Sequence, residues 1–266
     1  MSEEKMLKDE RKRILVDIIK NEKVVAIADL CDRLGVSHMT IWRDLGDLAN
    51  EGLIERIRGG AKACQQDPFD IPGNFNLVHD PKAGHKKAIG QFVAKNLVSD
   101  GDFITIEAGT TTSSMVPHLQ MENLTILTNG LLTSLLAYQT NPNLTLMCSG
   151  GILIETGAFT GPQTAEFFNG HRVHKAFLGA SGLTINDGFT DPTPLYLPTK
   201  KAMMANADQV IMMLDSSKIG VRSLLQVARF NDINKLVTDA DISSEMVTAL
   251  ESKGIDVHIA NFQTIP

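Results

Sequence analysis

Seven short apolar segments recur between residues 103 and 259, and segments with the three- and four-residue spacing of helices separate them. Strands that alternate with helices form βαβ units, which place the strands side by side in a mostly parallel sheet. We therefore predict an α/β fold for residues 81–266. The candidate strands are residues 103–107, 124–128, 144–148, 175–180, 210–215, 235–238 and 255–259.

A loop of small and polar residues follows each of the first five candidate strands. In chain order these loops begin at Glu107, Thr128, Ser149, Ser181 and Asp215. Ligands of open α/β sheets bind outside the carboxyl ends of the strands, so the loops are predicted to converge on one crevice. A tight turn explains any one such loop, whereas five in succession favour a binding site.

The composition of these loops suits phosphate and hydroxyl groups. Gly109 lets the backbone approach a ligand closely, and the threonines at 110–112 offer hydroxyls beside the N–H groups of a helix N-terminus. Lys86 and Lys218 add positive charge, and carboxylates can accept hydrogen bonds from hydroxyls. The predicted ligand-binding residues are Lys86, Glu107, Gly109, Thr110, Thr111, Thr112, Thr128, Asn129, Gly150, Gly151, Asp215 and Lys218.

The N-terminal residues 10–62 have the apolar spacing of helices instead. This spacing predicts a first helix through residues 14–19 and a second at 27–34. Gly35 should end the second helix. Ser37 should cap the next helix, with its hydroxyl accepting a backbone N–H.

A third helix should follow, with Ile41, Leu45 and Leu48 on its buried stripe. A helix, a glycine turn and a capped helix are the form of a helix-turn-helix, whose second helix enters the DNA major groove by its N-terminal end. Gly52 should close that helix. Segment 53–61 then alternates apolar and charged residues, which predicts a short hairpin, or wing. The predicted DNA contacts are Ser37, His38, Thr40, Trp42, Arg43, Arg56 and Arg58.

The net charge of −6 at first counts against DNA binding, but the charge is unevenly placed. Residues 1–62 hold 12 basic and 12 acidic residues, so the rest of the chain carries the whole negative charge. Phosphate contact depends on a local basic face rather than on the total. From charge alone, a solvated surface explains the basic residues equally well. The residues that could form a basic face are Arg11, Lys12, Arg13, Arg43, Arg56, Arg58 and Lys62.

The run GVSHMTIWRDLGDLANEGLIERIRGGA resembles the N-terminal signature of the DeoR family of bacterial repressors. Trp42 stands where that family usually has the first of two arginines. It can stack on sugars and base methyl groups of DNA, or it can pack against the wing, and both interpretations stay open. The matching positions are Val36, Ser37, Thr40, Ile41, Arg43, Asp44, Leu45, Gly52, Arg56, Gly59, Gly60 and Ala61.

The C-terminal part resembles the sensor domain of the same family, which is related in fold to ribose-5-phosphate isomerase. The segments EAGTTTS, LTNG, CSGG, KAFLGASG, DGFT and LDSSKIG match in order. The resemblance implies that these loops bind a phosphorylated sugar or a close relative, and that binding weakens the grip on the operator. Glu107 replaces the usual aspartate, and the segment before Lys200 lacks the glutamates of many members. The ligand can therefore differ from a plain pentose or hexose phosphate.

These patterns predict a winged helix-turn-helix DNA-binding domain at residues 1–62, a linker at 63–80 and an effector-sensing domain at 81–266. The linker is expected because Pro68, Pro72 and other turn residues interrupt any regular spacing. The expected partners are double-stranded operator DNA and a small-molecule effector. Single helix-turn-helix units seldom bind tightly alone, so we expect a homodimer or homotetramer assembled through the C-terminal half.

An isomerase-type enzyme is the main alternative. It would need a carboxylate base, for which Glu107, Asp187 or Asp215 could serve. The glycine-rich lysine loop of such isomerases is not evident, and the N-terminal module would have no purpose, so we expect a regulator and not an enzyme. A protein-binding winged helix with a degenerate sensor is a third interpretation.

The three cysteines lie far apart and the seven histidines lack metal-ligand spacing, so we expect neither a metal nor a cofactor. There is no run of about 18 apolar residues that could span a membrane. The first 13 residues are charged throughout and cannot form the apolar core of a signal peptide. A cytoplasmic location is therefore expected.

Overall fold

The chain divides into two compact units, Met1–Asp70 and Ile71–Pro266. Most of the predicted linker, residues 64–80, lies outside the described residues, as does Gly52 at the predicted end of the third helix. The domain boundaries at residues 62 and 81 therefore stay predictions. The computed structural model describes residues 8–50, 53–63, 82–141 and 143–261.

The first unit combines three helices with a small antiparallel sheet. The predicted helices and the hairpin β2–β3 are confirmed, whereas the sequence does not predict β1, because three residues are too few to show an alternating pattern. This strand pairs with β3 and completes a sheet in the order β1-β3-β2. The elements are α1 (Lys8–Glu22), β1 (Val24–Ala26), α2 (Ile27–Leu34), α3 (His38–Asn50), β2 (Ile54–Ile57) and β3 (Gly60–Ala63).

The turn between α2 and α3 follows from Gly35 and Ser37. Gly35 has a φ of +63°, in the left-handed region that favours glycine, and its N–H donates to the Cys31 carbonyl at 2.9 Å. The Ser37 hydroxyl accepts a hydrogen bond from the Thr40 N–H at 3.3 Å, so the predicted cap forms. The apolar stripes of the three helices meet in the core of the unit, where the buried residues include Leu15, Ile19, Leu30, Ile41, Leu45 and Leu48.

Among the described residues, no helix is both long enough and apolar enough to cross a membrane.

The second unit alternates helices and strands along much of its sequence. The helices are α4 (Ala83–Leu97), α5 (Thr110–Ser113), α6 (Leu131–Thr140), α7 (Pro162–Asn169), α8 (Leu197–Ala205) and α9 (Ser244–Glu251). The strands are β4 (Phe103–Ile106), β5 (Thr125–Thr128), β6 (Thr145–Cys148), β7 (Ile152–Leu153), β8 (Phe159–Thr160), β9 (Val173–Leu178), β10 (Gly182–Thr184), β11 (Gly188–Asp191), β12 (Ala207–Met213), β13 (Leu225–Ala228), β14 (Lys235–Asp239) and β15 (Asp256–Ala260).

The seven predicted strands form one fully parallel sheet in the order β15-β14-β12-β9-β4-β5-β6. Four consecutive residues of β12, 210–213, are all buried. Continuous burial of this kind is typical of a parallel strand that is covered on both faces. The predicted α/β fold is confirmed.

Two small antiparallel sheets are not predicted from the sequence. One is the hairpin β7–β8, and the other has the order β10-β11-β13. Their strands are two to four residues long, which is too short for an alternating pattern to identify them. Asp191 lies at the end of β11, and Thr156 lies in the loop between β7 and β8.

The direction in which strands are added to the large sheet reverses between β4 and β9. From β4 the chain adds β5 and β6 on one side, and it then adds β9, β12, β14 and β15 on the other. Open α/β sheets bind their ligands outside the carboxyl ends of the strands at such a switch point. The loops after β4 and β9 therefore mark the place where a ligand site is expected.

Candidate functional site

The exposed side of α3 carries most of the predicted DNA contacts. His38, Trp42 and Arg43 are exposed, whereas the apolar stripe of the same helix is buried. The Ser37 hydroxyl lies 2.9 Å from the Thr40 hydroxyl, so these two groups also hold the turn. The helix thus presents a polar N-terminal end, which is the part of a recognition helix that reads base edges.

Trp42 contacts the wing. The guanidinium carbon of Arg56, on β2, lies 3.7 Å from the centroid of the Trp42 ring. The His38 ring stacks with the same indole at a centroid distance of 6.5 Å and an interplanar angle of 16°. Of the two interpretations of Trp42, the geometry favours packing against the wing, with a cation–π partner.

The basic residues considered for a phosphate-binding face differ in whether a carboxylate neutralises them. Three form ion pairs at 2.6–3.1 Å, namely Arg11 with Asp44, Lys12 with Asp47 and Lys62 with Glu55. Asp44, a position of the family signature, is buried and serves the packing of α1 on α3. By contrast, Arg43 and Arg58 are exposed and form no ion pair with any other described residue. Uncompensated positive charge therefore lies on α3 and at the tip of the wing.

A cavity of about 280 Å³ opens at the switch point of the large sheet. Its walls come from α4, from the loops after β4, β9 and β12, from α8 and from the loop between β7 and β8. The predicted convergence of loops is therefore seen for three of the five. The predicted ligand-binding residues in its walls are Lys86, Glu107, Gly109, Thr110, Thr111, Thr112 and Lys218.

Lys200 is buried in the wall of this cavity and binds two carboxylates. Its ammonium donates to Asp191 at 2.7 Å and to the Gly179 carbonyl at 2.8 Å, and it lies 3.5 Å from Glu107 Oε1. Backbone N–H groups complete the network, from Gly179 to Glu107 at 3.2 Å and from Ser181 to Asp191 at 2.8 Å. With both carboxylates ionised, the network carries one net negative charge.

Glu107 and Lys200 have pKa values on opposite sides of neutral pH. Burial raises the pKa of Glu107 from 4.5 to about 6; the ammonium of Lys200 opposes this rise and the Asp191 carboxylate adds to it. Burial alone would lower the pKa of Lys200, but Glu107 and Asp191 outweigh burial and raise that pKa above its usual value. Glu107 therefore changes charge near pH 6, whereas Lys200 stays protonated.

Two further lysines and a threonine-rich turn form another part of the wall. The Lys86 ammonium donates to the Thr110 hydroxyl at 2.8 Å and lies 4.0 Å from an Asp215 oxygen. Lys218 is half-buried, and its ammonium pairs with no carboxylate of the described residues. α5 begins at Thr110, and the first N–H groups of a helix have no partner within it. A cation beside such N–H groups is the chemistry of an anion site.

The three threonines of this turn are not equivalent. Thr110 is exposed and Thr111 is half-buried. Thr112 is fully buried, and its hydroxyl donates to the Glu107 carbonyl at 2.7 Å. Thr112 therefore fixes the turn, while Thr110 and Thr111 present their side chains more openly.

Five predicted ligand-binding residues do not line the cavity, and the strand order explains four of them. The loops after β5 and β6 lie on the side of β4 away from β9 and β12. Asn129 accepts from the Ala108 N–H at 2.8 Å and donates to the Phe159 carbonyl at 3.0 Å, so it ties the loop after β4 to β8. The five residues are Thr128, Asn129, Gly150, Gly151 and Asp215.

The other residues of this group also support the loops. The buried Thr128 hydroxyl donates to a β4 carbonyl at 2.6 Å. Gly151 has a φ of +113°, and a side-chain carbon there would lie 2.2 Å from the Thr164 hydroxyl oxygen. Gly150 also has a positive φ, of +61°. Asp215 is 1% exposed and accepts a backbone N–H of the turn that follows it, at 3.2 Å.

The predicted ligand-binding residues leave out part of the cavity wall, including the side chains of Thr156, Asp191, Tyr196 and Lys200. The Tyr196 hydroxyl donates to the Thr156 hydroxyl at 3.2 Å, and the Lys200 ammonium lies 5.8 Å from the Tyr196 ring centroid. Asp191 lies at the end of β11 and Thr156 lies in the loop between β7 and β8, and the sequence shows no pattern for either of these small antiparallel sheets. Lys200 did carry a signal, since it falls in the segment that departs from the family pattern.

The carboxylates considered for an isomerase do not form one catalytic group. Glu107 lines the cavity, but Asp187 and Asp215 do not. Asp187 accepts from the Thr184 hydroxyl at 2.9 Å, in the turn between β10 and β11. The carboxylate that accompanies Glu107 is Asp191, and both lie beside the Lys200 ammonium.

A cluster on another part of the unit brings His85, Asp239 and Asp241 within 4.8 Å of one another, although their spacing in the sequence does not suggest a metal site. The His85 Nδ1 lies 3.3 Å from Asp239, and the Lys82 ammonium lies 3.1 Å from Asp241. Asp239 also accepts the Ser216 N–H at 2.9 Å. A lysine and a backbone N–H group therefore also contact the two carboxylates of this cluster.

Two family models match the chain. The DeoR-like helix-turn-helix domain matches residues 11–67, and the DeoR C terminal sensor domain matches residues 82–240. The first range contains α3 and the wing. The second contains the cavity residues from Lys86 to Lys218.

Relatives match along almost their whole length. The uncharacterized HTH-type transcriptional regulator YulB of Bacillus subtilis is 33% identical, over 95% of this chain and 96% of its own. The HTH-type transcriptional regulator GlpR of Haloferax volcanii is 31% identical, over 95% and 98%. The HTH-type transcriptional repressor GlcR of Bacillus subtilis is 29% identical, over 95% and 96%.

Solved structures give weaker matches. Ribose 5-phosphate isomerase from Plasmodium falciparum matches 52% of this chain and 54% of its own, with 14% identity and a TM-score of 0.38. The enzyme from Methanocaldococcus jannaschii matches 55% of each chain, with 18% identity and a TM-score of 0.36. TM-scores this low carry no conclusion about this chain.

The two family models follow one another in the order that the motifs predict, and the relative YulB aligns over nearly its whole length. The chain belongs to the DeoR family of helix-turn-helix transcriptional regulators, with a DNA-binding domain followed by a sensor domain.

Proposed function

We propose that this protein represses genes for carbohydrate use, and that a phosphorylated sugar or related metabolite bound in the cavity releases it from its operator. The observation that carries the proposal is the cavity at the switch point of the sensor domain. Its wall holds a threonine-rich turn and Lys218, whose ammonium pairs with no carboxylate of the described residues. Repression is supported by the relative GlcR, which is named a transcriptional repressor.

The phosphate subsite consists of Lys218 and the turn at 109–112. A phosphate there meets backbone N–H groups at the start of α5 and the Lys218 ammonium. Each charge-assisted hydrogen bond of this kind contributes on the order of 1.5–3 kcal/mol. The Lys86 ammonium, held on Thr110, adds a second positive charge.

DNA recognition rests on the N-terminal end of α3 and on the wing. His38 and Thr40 are placed at the end of the helix that reads base edges. Arg43 and Arg58, which lack ion-pair partners among the described residues, would contact phosphates. Arg56, whose guanidinium lies over the Trp42 ring, would contact the DNA backbone.

A homodimer or homotetramer assembled through the second unit would place two recognition helices on two half-sites. Exposed apolar side chains of that unit support this assembly, with Tyr138 at 81%, Leu224 at 76% and Ile152 at 62% exposure. Sedimentation velocity should show a dimer or tetramer. A monomer that binds operator DNA at full affinity would contradict this part of the proposal.

Thermal unfolding of the full chain tests the effector site. A ligand that binds the folded state at 100 times its Kd stabilises it by about 2.7 kcal/mol. Inorganic phosphate and a panel of sugar phosphates should raise the Tm, whereas the same sugars without phosphate should not. If no phosphate compound raises the Tm of the wild-type protein, the proposed site is wrong.

A further inference from the structure

The Lys200 ammonium lines the cavity but has no donor left for a ligand. An ammonium has three N–H donors. Two of them bind Asp191 and the Gly179 carbonyl at 2.7 and 2.8 Å, and Glu107 Oε1 lies within 3.5 Å for the third. This cation is therefore committed to the protein and cannot hold an anionic group of the ligand.

The two carboxylates around Lys200 retain acceptor positions. Each carboxylate has about four lone-pair positions. The Gly179 and Ser181 N–H groups use one position on each carboxylate, and the lysine uses others. The remaining positions can accept hydrogen bonds from hydroxyl groups. A second phosphate or a carboxylate has no proton to donate, and it would meet a network with one excess negative charge at low local dielectric.

One ligand can reach both ends of the cavity. A side-chain carbon at Gly109 would lie 3.5 Å from Glu107 Oε2 and 3.0 Å from the Thr112 hydroxyl oxygen. The glycine therefore leaves open the space between the threonine-rich turn and the Lys200 network. A phosphate at the turn brings the rest of the same molecule to the carboxylates.

We infer that the cavity selects a monophosphate with an uncharged, hydroxyl-rich remainder, and that it rejects ligands with a second anionic group, such as sugar bisphosphates and phosphorylated sugar acids. This inference rests on the proposed function, because it takes Lys218 and the turn at 109–112 as the phosphate subsite. The charges at the two ends of the cavity carry the inference. At the turn lies the Lys218 ammonium, which pairs with no carboxylate of the described part of the chain, and at the other end the network of Lys200, Glu107 and Asp191 is net negative.

Matched pairs of ligands test the inference by calorimetry on the full chain at pH 7.5. Fructose 6-phosphate is paired with fructose 1,6-bisphosphate, and glucose 6-phosphate with 6-phosphogluconate. In each pair, the ligand with a single anionic group, fructose 6-phosphate or glucose 6-phosphate, should bind at least about tenfold more tightly than the ligand with two. Equal or tighter binding of the doubly anionic member overturns the inference. If neither these ligands nor inorganic phosphate bind, the proposed function itself fails.

Two variants separate this effect from the phosphate subsite. Glu107→Gln removes one negative charge from the network, so the preference for glucose 6-phosphate over 6-phosphogluconate should shrink severalfold. Lys218→Ala should weaken both members equally and leave that ratio unchanged. An unchanged ratio in Glu107→Gln, or an altered one in Lys218→Ala, contradicts the assignment.

The wild-type protein provides the same test without a substitution. The carboxylate of 6-phosphogluconate titrates at about 3.5 and stays ionised down to pH 5, and both ligands share the phosphate. Glu107, with a pKa of about 6, takes up a proton over this range. The preference should therefore fall between pH 7.5 and pH 5, and a constant ratio would overturn the inference.

Discussion

The guanidinium group of Arg56 lies over the indole ring of Trp42, with its central carbon 3.7 Å from the ring centroid. This contact joins β2 of the wing to the recognition helix α3. A guanidinium stacked on an aromatic face keeps its N–H edge available for phosphate oxygens. Trp42 is therefore expected to orient Arg56 toward the DNA backbone, and not to read bases itself.

Replacing Trp42 by alanine should weaken binding to operator and random DNA alike. A cation–π contact at an exposed site is worth about 0.5–1 kcal/mol, which corresponds to roughly two- to fivefold in affinity. Trp42→Phe keeps an aromatic face and should lose less. Fluorescence anisotropy with labelled duplexes measures both, and a loss confined to the operator would show that Trp42 reads sequence.

The contact can also be observed in the free protein. Trp42 is the sole tryptophan of the chain, so its fluorescence emission reports on this position alone. Arg56→Ala should alter that emission before any DNA is added. Lys62→Ala, which removes a wing cation paired with Glu55, is the control and should not.

Arg43 and Arg58 should each contribute about one unit to the salt dependence of DNA binding. The slope of log affinity against log salt counts the phosphates that a protein neutralises, so Arg43→Ala or Arg58→Ala should flatten it by about one unit. Arg172→Ala is the control, because Arg172 is exposed in the second unit and paired with Asp208. An unchanged slope in both wing and helix variants would contradict the proposed docking.

Lys200 should be essential for the stability of the sensor domain. Lys200→Met leaves two carboxylates buried without their cation, which should cost about 3–5 kcal/mol of the free energy of unfolding. Lys201→Met is the matched control, because Lys201 is exposed on the same helix, and it should stay within about 0.5 kcal/mol of the wild type. Urea unfolding followed by circular dichroism compares them. Similar effects of the two variants would show that the Lys200 network does not stabilise the fold.

The pKa of Glu107 should make the sensor domain less stable as the pH rises from about 4.5 to about 6. The folded state holds the Glu107 proton up to about pH 6 and the unfolded chain releases it at 4.5, so the folded state binds more protons in this window. The loss should be about 2 kcal/mol and complete above pH 6. Glu107→Gln has no titratable carboxyl at this position, so its free energy of unfolding should not show this fall. If the free energies of unfolding of the wild type and the variant differ by the same amount at every pH from 4 to 8, the prediction is wrong.

Local sequence patterns were sufficient for the elements and for one end of the site. The apolar runs identify all seven strands of the large sheet, and Gly35 with Ser37 identifies the helix-turn-helix, because these features depend on neighbouring residues. Lys218 and the threonine-rich turn were found because they follow predicted strands directly.

The other end of the site depends on pairing between distant segments. The order of strands decides which loops meet, so Thr128 and Gly150 look like site residues in the sequence but lie beyond β4. Asp191 reaches Lys200 only because β11 pairs with β10 and β13. The contact of Arg56 with Trp42 likewise depends on the docking of β2 on α3. No periodicity within one segment reveals such contacts.

Operator release by a sugar phosphate shows whether a ligand in the cavity controls DNA binding. DNA fragments retained by the full-length wild-type protein supply the operator. The released fraction is then measured at fixed salt for the wild type, Lys218→Ala and Lys253→Ala, with the ligand that raises the wild-type Tm most. Lys253 is exposed in the turn after α9 and serves as the matched control. We expect all three proteins to bind the operator equally in the absence of ligand. The wild type and Lys253→Ala should then release it at the same ligand concentration, whereas Lys218→Ala should need about 10 to 100 times more ligand. If Lys218→Ala releases the operator at the ligand concentration that suffices for the wild type, Lys218 does not bind the effector.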